Sequence, residues 1–155
     1  MKAVCIFLLF LAVSNLTLAQ LRPETPPHPA AQTITVRLLN AQTGKPMTNK
    51  MVTVRWLGGW DKSEIALDNQ GAGTVDVPVG IHEFTLDEGP RVGKEPYRIA
   101  YLDCNDRHGA KIQVSLVMEK GFVPKNGCGD KTTSAHPGEV VLWGLPKPWW
   151  QPDMQ

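Results

Sequence analysis

From Thr33 to Trp143 the chain alternates apolar and polar residues again and again. The first clear instance is "TITVRLL", where Ile34, Val36 and Leu38 interleave with Thr33, Thr35 and Arg37. A period of two places successive side chains on opposite faces of an extended backbone, so this stretch predicts a half-buried β-strand. "MVTVRWL" repeats the pattern with Val52, Val54 and Trp56 inward, and "EIAL" predicts a shorter strand. "TVDVPVGIHEFTL" turns Val75 and Val77 inward, breaks at Pro78 and Gly80, and resumes with Phe84 and Leu86. Pro78 has no N–H for a ladder and marks a strand end or an edge. "YRIAYL" is β-rich, "KIQVSLVM" alternates through Ile112, Val114, Leu116 and Met118, and "EVVLW" (Glu139 to Trp143) predicts the last strand.

Between these segments lie residues that set or tolerate turn geometry: Asn40, Gly44 and Pro46 in "NAQTGKPM", then "DNQGAG", "DEGPRVGKEP" and the long polar stretch "KGFVPKNGCGDKTTSAHPG". No segment sustains a helical period. Short alternating strands separated by turns predict an all-β fold, an antiparallel β-sandwich of about seven strands in which two sheets share one core. The sandwich is expected over residues 33–145. It is preceded by a proline-rich leader at 20–32, "LRPETPPHPAAQ" reading as extended and solvated, and followed by a Trp/Pro-rich tail at 146–155 whose prolines oppose a helix.

Composition adds a compartment. "MKAVCIFLLFLAVSNLTLA" carries Lys2, an apolar run from Ala3 to Val13 and the small-residue signal Thr17-Leu18-Ala19, the layout of a secretory signal peptide at 1–19. The run is short for a permanent anchor, which needs roughly 20 apolar residues, although an uncleaved anchor is the competing reading. No membrane insertion is expected after cleavage at Ala19. The chain has 16 basic and 15 acidic residues, and cleavage would remove Lys2 and no acid. A neutral chain without a basic run lacks the electrostatic footprint for nucleic acid or anionic lipid. Of three cysteines, Cys104 and Cys128 lie beyond the signal. In an oxidising compartment they are expected to form a disulfide, with paired metal-binding or reactive thiols as the alternative.

"LLNAQTGKPMTNKMVTVRW" followed by "LDNQGAGTVDVPVGIHEFTL" resembles the carboxypeptidase regulatory-like domains, which are prealbumin-like (transthyretin-like) β-sandwiches. The motifs that carry the likeness are Thr43-Gly44-x-Pro46, Asp68-x-x-Gly71 and Val77-Pro78-x-Gly80, within Thr33 to Met118. The resemblance implies a prealbumin-like sandwich serving as an extracytoplasmic accessory or binding module without catalysis of its own. His82 stands where such domains usually carry a large aromatic residue, and the cysteine loop and tail lie outside the pattern. "PGEVVLWGLPKPWW" is also similar to the carboxyl ends of small exported bacterial proteins.

Candidate chemistry is sparse. His82 falls in phase with Phe84 and Leu86, which predicts a hydrogen-bonded packing role at the core or its rim. His28 lies in the leader, and His108 and His136 lie in loops near Asp103, Asp106 and Glu139, with no zinc-ligand spacing. "DCNDRHG" lacks the alternating carboxylates of a calcium loop and reads as a turn beside Cys104. Ser63, Ser115 and Ser134 have no activating neighbours in sequence. Sandwich relatives with known chemistry fit poorly: the chain lacks the carboxyl-terminal signature of the hydroxyisourate hydrolases. Tyr97, Tyr101 and the four histidines show no intradiol-dioxygenase order, and "EVVLW" has no Asn for an adhesin-type isopeptide bond. No catalytic residue, metal ligand or cofactor is therefore assigned.

Trp60 after Gly58-Gly59, and Trp149 and Trp150 in the tail, are the candidate ligand-binding residues, because an exposed indole offers a wide face to a sugar ring or an apolar partner surface. The competing role is packing over an open edge of a small sandwich. The expectation is an exported, non-enzymatic module that binds a protein or carbohydrate partner, with a small metal-dependent enzyme and a structural envelope component as alternatives.

Overall fold

The computed structural model describes residues 31–59, 61–88, 98–99, 101–106 and 109–146. Eight strands and one helix are present among them: β1 (Thr33–Asn40), β2 (Lys50–Leu57), β3 (Lys62–Ala66), β4 (Ala72–Asp76), β5 (Glu83–Glu88), β6 (Arg98–Ile99), β7 (Ile112–Gln113), α1 (Val114–Lys120) and β8 (Glu139–Gly144). They form two sheets, in the orders β4-β1-β8 and β3-β2-β5-β7, with β6 paired to the end of β2. The fold is an all-β sandwich. Its pairings are antiparallel except β1–β8 and β2–β6, which run parallel.

The alternation read from the sequence builds the core between the sheets. Ile34, Val36 and Leu38 of β1 and Val140 and Leu142 of β8 meet Val52, Val54 and Trp56 of β2, Ile65 of β3 and Phe84 and Leu86 of β5, all buried. Trp56 and Phe84 pack edge to face with ring centroids 5.7 Å apart, and the Trp56 indole N–H donates to Ser63 Oγ. Val75 and Val77 lie half-buried against this core, and β4 ends before Pro78.

The two turn motifs interlock. Asn40 Oδ1 accepts the backbone N–H groups of Gln42 and Thr43, while Asp68 Oδ1 accepts those of Gln70 and Ala72. Gly71, at φ 68°, sits where a Cβ would come within 3.0 Å of Leu38 O and Met47 N. Its carbonyl accepts the Leu38 N–H, and Leu38 O accepts from Met47. A side chain at position 71 would meet both a strained backbone and a wall of main chain.

One predicted strand is largely a helix. After two residues of β7 the chain coils into α1, burying Val114 and Val117 and leaving Leu116 39% exposed. The residues of "KIQVSLVM" fit both periods, because Val114, Val117 and Met118 also stand at helical spacing. Among the described residues the β5–β7 ladder ends at Gln113, and the helix seals the core with one stripe instead. It stops at Gly121, φ 75°, which places its N–H on Val117 O and lies so close to His136 O that a Cβ would be 2.4 Å away.

Candidate functional site

The stretch from Gly121 to Gly138, expected as a loop, is a third layer. Arg37 and Leu39 of β1 and Glu139, Val141 and Trp143 of β8 face away from the sandwich core, in the register Arg37↔Val141 and Leu39↔Trp143. Leu39, Ala41, Val141, Trp143 and Cys104 form a second buried cluster, roofed by Val123 and Ala135. The Phe122 N–H donates to Glu139 O and Phe122 O accepts the Val141 N–H, so the layer begins as an added rung beside β8.

Polar side chains then bolt it down. The Trp143 indole donates to Pro124 O at 3.0 Å. Buried Asn105 donates to Leu102 O and Trp143 O and accepts the Trp143 N–H. Asn126 Nδ2 donates to Ala41 O at 2.7 Å, and Gly129 passes so near Ala41 O that a Cβ there would be 2.3 Å from it. Cys104 and Cys128 are joined at 2.08 Å, with Cα atoms 5.1 Å apart, as expected. "DCNDRHG" is used structurally: Asp106 Oδ1 accepts the Lys125 N–H, and the Asp106 N–H donates to Lys125 O.

An ion pair closes the other end of this layer. Arg37 Nε donates to Glu139 Oε1 at 2.7 Å, and Glu139 Oε2 accepts the His136 N–H. Partial burial alone would raise the Glu139 carboxyl, but the His136 amide and the Arg37 guanidinium outweigh it and hold the group below its ordinary value. A carboxyl that titrates lower folded than unfolded adds stability above the unfolded value of about 4.3 and loses it as pH falls through the folded one. With side chains 29% and 13% exposed, the pair is worth about 1 kcal/mol or less. Arg37→Met should therefore lower the melting temperature slightly at pH 7, and the gap to wild type should close as melts are repeated below about pH 4.

The larger sheet carries a groove at the end where β1 begins. Leu57, Glu83 and Gln113 stand side by side across β2, β5 and β7, in the register Leu57↔Glu83↔Gln113, on the face opposite Trp56, Phe84 and Ile112. His82 and Ser115 complete a depression of about 530 Å³. Its walls are low because Gly58 (φ 96°) and Gly80 (φ 83°) turn the chain there with open space beside each. Val79 projects from the neighbouring turn, 87% exposed.

His82 is exposed, placing it at the rim, while its carbonyl accepts the Val114 N–H. His136 is also exposed; Ser63 accepts from Trp56, and Ser134 contributes its carbonyl to Arg37. Trp60, Trp149, Trp150, His28, His108 and Tyr97, with the signal and leader through residue 30, lie outside the described residues. Among the described residues there is no cluster of His, Cys, Asp and Glu able to hold a metal ion, and no helix long and apolar enough to cross a membrane. Comparison with protein-family models, curated proteins and solved structures found no match.

The groove residues were not singled out by sequence because Glu83 and Gln113 look like any polar face of a strand. Asn105 and Asn126 likewise carry no periodic signature. The third layer did leave a trace: Leu38-Leu39 and Val140–Trp143 are continuous apolar runs, which belong to strands buried on both faces.

Proposed function

We propose that this chain is an exported, non-enzymatic binding module that recognises a protein or glycan partner through the groove at the β2–β5–β7 end of the sandwich. The observation that carries this reading is the row Leu57, Glu83 and Gln113 opening onto an accessible depression beside His82 and Ser115. Planar carboxylate, amide and imidazole groups offer donors and acceptors in fixed directions, as polar ligands require, and the glycine turns let a partner approach the backbone. Trp60 follows Gly58-Gly59 in sequence, which adds an indole to the same segment. Export is supported by the signal-like first residues and by the joined cysteines.

The test is cross-linking in the source cell with identification of the captured partner, followed by titration of that partner or its glycan against the purified chain. His82→Ala with Gln113→Ala should weaken binding tenfold or more. Both side chains are exposed, so melting should stay unchanged. Undiminished affinity would remove the groove from the reading, and substrate turnover abolished by His82→Ala would replace it with an enzyme.

A further inference from the structure

Asn126-Gly127 is the one Asn-Gly dipeptide in the chain, and the docked layer holds every group that could make it react. Asn-Gly is the pair in which the following amide nitrogen reaches the side-chain carbonyl carbon with least hindrance, since glycine has no Cβ. Here Asn126 Nδ2 donates to Ala41 O at 2.7 Å and to Lys131 O at 3.2 Å, and Asn126 Oδ1 accepts the Cys128 N–H at 3.1 Å. The Gly127 N–H, whose nitrogen would be the nucleophile, is committed to Cys104 O at 2.7 Å. Both cysteines of the disulfide thus hold this dipeptide through their main-chain atoms.

We propose that Asn126 is a deamidation site kept shut by the Cys104–Cys128 bond, so that thiol reduction makes release of the layer irreversible. A low-molecular-weight dithiol attacks the sulfur of Cys128, which belongs to the exposed partner of the pair. Cys104 leaves as thiolate, and the second reductant thiol completes the exchange, so the reductant is oxidised to its disulfide as both cysteines are reduced. Freed from Cys104 O, the Gly127 nitrogen loses its proton and bonds to Asn126 Cγ. The Cγ–Nδ2 bond breaks and ammonia departs with that proton, leaving a cyclic imide. Water opens the imide to aspartate or isoaspartate at position 126. A carboxylate there has no N–H to give Ala41 O or Lys131 O and sets negative charge against two carbonyl oxygens, so reoxidation no longer restores the docked layer.

The test incubates the oxidised full chain and the same chain treated with dithiothreitol at mildly alkaline pH and follows amide-to-acid conversion by peptide mass spectrometry. Asn126 should convert roughly 100-fold faster once reduced, the factor by which losing the crosslink raises the open population. Asn49, Asn69 and Asn105, none followed by glycine, should lag behind it. Equal rates with and without reductant, or equal conversion at the other asparagines, overturn the proposal. Gly127→Ala, compared in the reduced state where docking no longer matters, should slow conversion at least tenfold, and an unchanged rate overturns the imide route. Asn126→Asp with the disulfide formed should be reduced by the same thiol several-fold faster than wild type, and an unchanged reduction rate overturns the claim of irreversibility.

Discussion

Trp143→Ala is expected to destabilise the protein by about 3–5 kcal/mol, the range for removing a large buried aromatic side chain, and to lower its melting temperature by roughly 10–20 °C. The side chain is 1% exposed and is the largest fully buried one among the described residues. It lies outside the sandwich core, facing Leu39 across the β1–β8 pair and closing the second cluster beneath the added layer. Its loss removes apolar contact from both surfaces and leaves Pro124 O, in a buried residue, without its donor. Trp143→Phe separates these terms: it keeps most of the ring and loses the indole N–H, so a cost of about 1–3 kcal/mol is expected. Urea unfolding monitored by far-ultraviolet circular dichroism measures both. A cost for Trp143→Ala below 1 kcal/mol would mean the third layer does not pack as described.

That two-sided burial marks the boundary of what pattern reading reaches. Alternation in β1, β2 and β5 was legible because Thr33, Thr35, Arg55, Thr85 and Asp87 keep polar residues at least partly in water opposite the buried row, although Leu39, Met51 and Thr53 on those outer faces are buried as well. In β8 the period fails: Val140 to Trp143 are buried without a gap, and the sequence shows only an apolar run. The covering segment is Gly-, Pro- and Lys-rich and has the composition of a solvated loop. It docks mainly through single donors on backbone carbonyls, Asn126 on Ala41 and Trp143 on Pro124, and through glycines that let main chain touch main chain. Such contacts have no period. The helix α1 was hidden for the opposite reason, since its apolar positions satisfied two periods and the sequence did not show that the ladder on β5 ends at Gln113. The groove shows the same limit, because its polar row becomes a site only when register brings Leu57, Glu83 and Gln113 abreast.

Removing the disulfide as Cys104→Ala with Cys128→Ala is expected to cost about 3 kcal/mol, from the conformational freedom regained by an unfolded chain no longer closed over a separation of 24 residues. Alanine is the appropriate replacement, because Cys104 is 1% exposed and a serine hydroxyl there would add a desolvation penalty of its own. The loss should be unevenly placed. The crosslink ties the layer to the segment through Leu102, Cys104 and Asn105, and the sandwich core of Ile34, Val54, Phe84 and Leu142 does not depend on it for contacts. Amide exchange should therefore quicken most at Phe122, Gly127 and Val141, whose N–H groups bond within or onto the layer, and least in β2 and β5. Chemical reduction of the unmutated chain should reproduce the pattern, which makes the result independent of how the substitutions pack. Uniform acceleration across β2 and β5 would instead show that the bond secures the sandwich as a whole and that the layer has no separable stability.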